Sequence, residues 1–211
     1  MTSTDTKRQI LRAAEILFAR EGYAGTSLRQ ITELAGVNVA AVNYHFGSKE
    51  NLLVELLDRV IAPITTKRLK LLDEAESKRD PGVRDILAAF LLPDLEAIAD
   101  LKSRDPALPN FVSRMYSEGS ELMAEVMGRQ FAEGQRRFYA AFQRALPSLG
   151  ADEIAWRLHC IVGIVVYLFA TVEAPGILAM LQGDRDADLE RLLSVTVPLM
   201  TAEEVVTEVK G

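Results

Sequence analysis

The chain is poor in the residues that most often carry chemistry. It has one cysteine, Cys160, and two histidines, His45 and His159. A single cysteine excludes an internal disulfide and fits a reducing compartment. His159 and Cys160 are adjacent, so on a helix their side chains diverge by about 100° and cannot easily share one ion. Both therefore read as core residues rather than metal ligands. No glycine-rich phosphate loop follows a strand. No paired carboxylates stand on apolar ground as acid–base catalysis would need. These absences argue against an enzyme, a metal centre or a bound cofactor.

Long apolar runs are also missing. The N-terminal stretch MTSTDTKRQI has no signal core, and the most apolar run, residues 161–170, is half of the roughly 20 residues a membrane span needs. The expectation is a soluble, cytoplasmic chain with no membrane partner. No alternating strand, internal repeat or low-complexity tract is visible.

What is present is helix. With 211 residues, 49% of them hydrophobic, the chain can bury a full core as one large or two small domains. The net charge of −6 is unevenly spread: residues 1–70 carry 10 Lys/Arg against 7 Asp/Glu, or +3, and the remainder 14 against 23, or −9. The first third is the part a polyphosphate would tolerate.

Ile10, Leu11, Ala14, Leu17 and Phe18 recur at helical spacing over residues 6–21, and Gly22 should end that helix. Ser27 can cap a second helix, with Gln30 completing a capping box. Gly36 suits a turn needing positive φ, and Asn38 can cap a third helix whose inward residues are Val42 and Phe46. Ser48 can cap a long fourth helix from 49 to about 77, which Pro63 should kink or break near residues 60–62. Further helices are expected at 83–101, 109–117, 120–146, 152–172 and 187–200, with a frayed tail from Thr201.

Two short helices joined by Ala35-Gly36-Val37 form helix-turn-helix grammar, which presents one helix to the major groove of DNA. If Val42 and Phe46 face the core, Ala40, Asn43 and Tyr44 lie on the opposite side. Asn43 could pair with adenine, and Ala40 could touch a thymine methyl. Tyr44 could meet base or phosphate, and His45 phosphate. Thr26 and Ser27, at a helix N-terminus, together with Arg29 and Lys49, are candidate phosphate contacts that would set register without reading sequence. The competing reading is that Tyr44 and His45 merely pack a helix end.

Residues 7–55 resemble the N-terminal domain of TetR-family transcription regulators. The resemblance lies in the helix ending Phe18-Ala-Arg-Glu-Gly-Tyr23, then Thr26-Ser27, Ile31, Ala35-Gly36-Val37, Tyr44-His45-Phe46, Ser48-Lys49-Glu50 and Leu52-Leu53. It implies an all-α homodimer, usually a repressor, released from an operator when a small molecule enters the C-terminal domain. It further implies phosphate contacts at Thr26, Tyr44, His45 and Lys49, and base contacts from the face between Val39 and Asn43. Pro63 and the segment from Ala145-Leu-Pro147 to Trp156-Arg157 are similar to a branch of the family whose effectors include long-chain fatty acids or their thioesters.

The C-terminal half is less legible. A sensor pocket could be lined by Phe90, Leu91, Phe111, Met115, Met123, Met127, Phe131, Trp156, His159 and Tyr167, or each could be plain core. Arg114 could meet a carboxylate or carbonyl, or simply be solvated. Ile161, Ile164, Val165 and Leu168, with Leu189, Leu192, Leu193 and Val197, form apolar stripes suited to a two-fold four-helix interface, or to a buried helix in a monomer. The expectation is thus an all-α chain. Residues 1–50 form a helix-turn-helix DNA-binding domain, and residues 51–211 a helical effector-binding and dimerisation domain. Its partners are double-stranded operator DNA, a small-molecule effector with fatty acyl compounds among the candidates, and a second copy. The rival is a helical lipid-binding carrier without DNA function.

Overall fold

The structure, a computed structural model, describes residues 3–117, 121–172 and 181–203, except for the side chains of 121–124, 126 and 127. It is helical with no strand among the described residues.

Helix α1, Ser3–Gly25, buries Ile10, Leu11, Ala14 and Phe18 along one face. Gly22 interrupts it as the sequence requires, at φ 78° and ψ 168°, although helical geometry resumes to Gly25 instead of stopping. Helix α2, Leu28–Ala35, opens on the expected capping box: the Gln30 amide donates to Ser27 Oγ at 3.2 Å and the Ser27 amide to Gln30 Oε1 at 2.7 Å. Gly36 takes the left-handed conformation, φ 65°, and turns the chain into α3, Val39–Phe46. There Asn38 Oδ1 accepts from the Ala41 amide at 2.9 Å.

Helix α4, Lys49–Glu76, is 28 residues long, and Pro63 does not break it. The proline removes one helical hydrogen bond, but Ile61 and Ile64 are buried on either side of it. Packing against α5, Val83–Arg104, which also runs through a proline, Pro93, and against α7, Glu121–Ala145, holds the segment in one piece. The other helices after it are α6, Pro109–Ser117; α8, Ala151–Thr171; and α9, Arg185–Thr201. The expected tail falls mostly outside the described residues.

Helices α1 to α3 pack on one another, and α1 also leans on α4 and α6. Helix α4 lies between α5 and α7, α6 packs on α8, and α9 packs mainly on α5. One apolar core runs from Ile10 to Met200. Helix α4 therefore belongs to both ends of the molecule. It is tied to α1 by Lys7–Glu55 at 2.9 Å and to α3 by Asn51 Nδ2 donating to the Phe46 carbonyl at 2.9 Å.

Helix α8 is long and apolar enough, by length and composition, to cross a membrane: it has 21 residues, and an 18-residue stretch of it has mean hydropathy 1.8, beyond the ten-residue run visible in sequence. Here it packs against α6, α7 and α9. Its buried Arg157 donates to the Met200 carbonyl at 3.0 Å and the Ala202 carbonyl at 2.6 Å, and pairs with Glu153 at 2.6 Å. A buried arginine needs such partners, and they fasten α8 to the end of α9.

Candidate nucleic-acid interface and cavity

Val42 and Phe46 anchor α3 in the core, which leaves Ala40, Asn43 and Tyr44 exposed on the opposite face and Val39 exposed at the helix start. Tyr44 is 81% exposed, far more than an aromatic ring that merely packs a helix end. Its ring meets the half-buried His45 ring edge-on, with centroids 5.0 Å apart. The surface combines a small residue, an amide and a phenol, which suits base edges and backbone in a major groove. Arg29 is exposed and pairs with Glu33 at 2.9 Å, and Ser27 is exposed beside it.

Two of the expected phosphate contacts make hydrogen bonds within the protein. Thr26 is buried, and its only hydroxyl proton is donated to the Gly22 carbonyl at 2.8 Å, securing the corner between α1 and α2. Lys49 Nζ donates to the Tyr23 carbonyl at 2.5 Å and lies 4.1 Å from the centre of the Tyr23 ring. It thereby satisfies a carbonyl near the end of α1, where a cation is electrostatically favoured. The Tyr23 hydroxyl donates to Glu50 Oε1 at 3.0 Å. Burial, with that carboxylate added, pushes the Tyr23 hydroxyl up to about 12. Hydrogen bonds from its own amide, Ser48 and Tyr23 hold the Glu50 carboxyl below its usual range. Sequence could not reveal this cluster, because Tyr23 and Lys49 meet only across the fold.

In the C-terminal half a cavity of about 720 Å³ opens between α4, α5, α6, α7 and α8. Of the expected lining residues, Phe90, Phe131 and His159 are on its wall. Phe111, Met115, Arg114, Trp156, Tyr167 and Leu91 are not. On α6 the cavity side is Val112 and Tyr116. Phe111 and Met115 lie one position earlier, about 100° round, and are buried; Phe111 stacks on Phe18 at 6.4 Å. Arg114 donates to the Arg20 carbonyl at 3.2 Å, joining α6 to α1. Trp156 and Tyr167 are on the outer side of α8, 63% and 46% exposed. The side chains of Met123 and Met127 lie outside the described residues.

The sequence missed the polar part of this wall, Arg68 and Asp94, paired at 2.5 Å. A signal existed. Arg68 occupies an inward position of the stripe Ile61, Ile64, Leu72 and Ala75, and Asp94 stands between Phe90, Leu91, Leu95 and Ile98, all buried. A charge inside an apolar stripe asks for a buried partner.

The expected interface stripes also need correction. Ile161, Val165, Leu168, Leu192 and Leu193 are buried within the protomer, and Ile164, Leu189 and Val197 are half-buried. Their apolar character serves the chain's own core. The apolar side chains left outside are Trp156 and Tyr167 on α8 and Val195 on α9, the last 59% exposed. Among the described residues no group of three or more His, Cys, Asp or Glu is placed to hold a metal ion.

Residues 10–56 match the family model described as bacterial regulatory proteins, tetR family, and residues 88–202 match the tetracyclin repressor-like C-terminal domain. The chain is 38% identical over 154 residues to the transcriptional regulator LmrA of Bacillus subtilis, covering 72% of this chain and 77% of that one. It is 36% identical over 84 residues to the transcriptional repressor NicS of Pseudomonas putida, 39% of each chain, so that match spans well under half of the relative's length. The solved structure of NalD, the secondary repressor of the MexAB-OprM multidrug efflux pump in Pseudomonas aeruginosa, superposes with a TM-score of 0.62 at 25% identity, over 93% of this chain and 96% of that one. The C-terminal match alone covers more than half of the 211 residues, and with the N-terminal one it settles the relationship: this chain belongs to the TetR family of bacterial transcription regulators.

Proposed function

We propose that the protein is a ligand-responsive transcription repressor that binds a palindromic operator as a homodimer and leaves it when a small apolar or acyl molecule fills the cavity. One observation carries the reading. Helix α4 begins at Lys49, beside the exposed face of α3, and contributes Ile61, Ile64, Thr65 and Arg68 to the cavity wall. At about 1.5 Å per residue, those 19 steps from Lys49 to Arg68 span about 29 Å of continuous helix.

Bases would be read by Val39, Ala40, Asn43 and Tyr44, and phosphates met by Ser27, Arg29, Tyr44 and His45. Residues 1–50 act as the reading domain and 51–211 as the sensing and pairing domain, with α4 in common. Trp156 and Tyr167 of α8 and Val195 of α9, paired across a two-fold axis, would set the two α3 helices roughly 34–36 Å apart, one turn of DNA. A ligand acts only through its different affinity for the spacings that fit and do not fit the duplex. On this reading the protein works in the cytoplasm, where its operator would lie. Relatives named as repressors support the sign of the response.

Fluorescence anisotropy with duplexes from the protein's own promoter region tests this reading, with and without uncharged acyl or aromatic compounds. A specific complex that such a compound dissociates is the expected result. Equal affinity for every duplex at all salt concentrations would end the proposal. A lipid carrier would use the same cavity but has no use for an exposed Tyr44. Asn43→Ala with Tyr44→Ala separates the two, since a carrier would lose nothing.

A further inference from the structure

Two buried charged groups stand in the wall of a mainly apolar cavity. Arg68 and Asp94 are joined at 2.5 Å and keep only 10% and 6% of their side-chain surface. Arg68 Nε also donates to the Phe90 carbonyl at 3.0 Å, and its guanidinium lies 4.2 Å from the centre of the Phe90 ring. Thr65, one turn earlier on α4, holds a buried hydroxyl with no hydrogen-bond partner. A buried unpaired hydroxyl is costly, and rotation about χ1 exchanges its positions with those of the methyl group.

The pair has no net charge, and that decides what the cavity accepts. A guanidinium has five N–H donors. With Nε and one Nη engaged, a ligand oxygen can take another without displacing Asp94. A ligand carboxylate would instead set an unmatched negative charge beside Asp94. A ligand ammonium would set an unmatched positive charge beside Arg68. Either ion would give up water without gaining a net counter-charge. The other permanent cation on the wall, Arg136, is exposed to solvent, which weakens its pull on a buried anion.

We propose that the cavity selects an uncharged amphiphile with one hydrogen-bonding oxygen, an alcohol, phenol, ester or thioester, held at Arg68 and Thr65, and that it rejects carboxylates and ammonium ions of the same skeleton. This rests on the reading of the cavity as the effector site. Because both residues belong to α4, the ligand's polar atom bonds directly to the helix that starts beside α3. A free fatty acid is thereby disfavoured, whereas a fatty acyl ester or thioester carbonyl is accepted.

Calorimetry on the full chain without DNA tests the proposal. Two matched probe sets serve: 4-hydroxybiphenyl, biphenyl-4-carboxylate and 4-(aminomethyl)biphenyl, and decanol, decanoate and decylammonium. In at least one set the uncharged member should bind, with both ions roughly tenfold or more weaker. Asp94→Asn leaves Arg68 uncompensated and should bring the carboxylate level with or above the alcohol. Should that variant fail to fold, Thr65→Val serves: the hydroxyl probe weakens roughly fivefold, while unsubstituted biphenyl is unaffected. A carboxylate that matches or outbinds the alcohol on the unaltered chain overturns the proposal. So does saturation by neither uncharged probe, or an unchanged ranking in the variants. Failure of the regulator reading looks different: the ranking holds, but no duplex is bound.

Discussion

Lys49 separates two accounts of one residue, and its replacement by methionine decides between them. If the ammonium only met phosphate, Lys49→Met would leave the free protein's stability alone and lower the salt slope of DNA binding by about one unit. In the structure the group donates to the Tyr23 carbonyl at 2.5 Å and lies 4.1 Å from the Tyr23 ring. A hydrogen bond from a charged donor is worth about 1.5–3 kcal/mol, and a cation over an exposed ring about 0.5–1 kcal/mol. Lys49 is half-buried, and methionine retains the packing of its stem, so the low end applies, about 2 kcal/mol. For a chain of 211 residues this is a fall in Tm of about 4–8 °C. Calorimetric melting of the DNA-free protein measures it, and the salt slope of operator binding is read on the same sample. An unchanged Tm with the slope reduced by one would refute the structural role and restore the phosphate contact.

Other outcomes follow from burial. Asn43→Ala with Tyr44→Ala should abolish specific operator binding, each lost base contact costing about 1–3 kcal/mol, and shift Tm little because both side chains are exposed; retained operator affinity would remove α3 as the reader. Trp156→Glu should raise the monomer fraction in sedimentation while leaving the protomer folded. Ile161→Ala, 0% exposed, should instead cost about 2–5 kcal/mol of protomer stability. Equal melting losses in the two variants would contradict the assignment of faces. Asp94→Leu alone should cost about 3–5 kcal/mol by stranding Arg68, whereas Arg68→Met with Asp94→Leu should be neutral or stabilising. Burial raises the Asp94 carboxyl despite Arg68. Its contribution is therefore complete below the usual carboxylate range and lost as pH rises through the raised value. Melting of the double variant should lack that decline, and an identical pH profile in both proteins would refute it.

Much of this was legible beforehand because it is local. Ser27 with Gln30, Gly36, Asn38 and Ser48 act within a few residues of themselves, through caps and one left-handed turn. Helix boundaries and the outward side of α3 follow from such signals and the 3.6-residue period alone. The prolines mark the limit of local rules, since Pro63 is overruled by the packing of α4 against α5 and α7.

Composition and periodicity determined that the chain is helical, that a short capped helix stands out near its start, and that α8 and α9 carry more apolar surface than a solvent-facing helix uses. They could not say what each apolar stripe packs against. An inward apolar residue and one meant for a partner look alike in one dimension: Ile161 and Leu193 suit an interface by sequence but are buried, while Trp156 and Val195 face outward. Lys49 on Tyr23 and Arg68 on Asp94 are pairings between residues 26 positions apart in each case. Only the crossing of helices brings such groups within reach, because hydrogen bonds and ion pairs act over a few ångströms of space and take no account of distance along the chain.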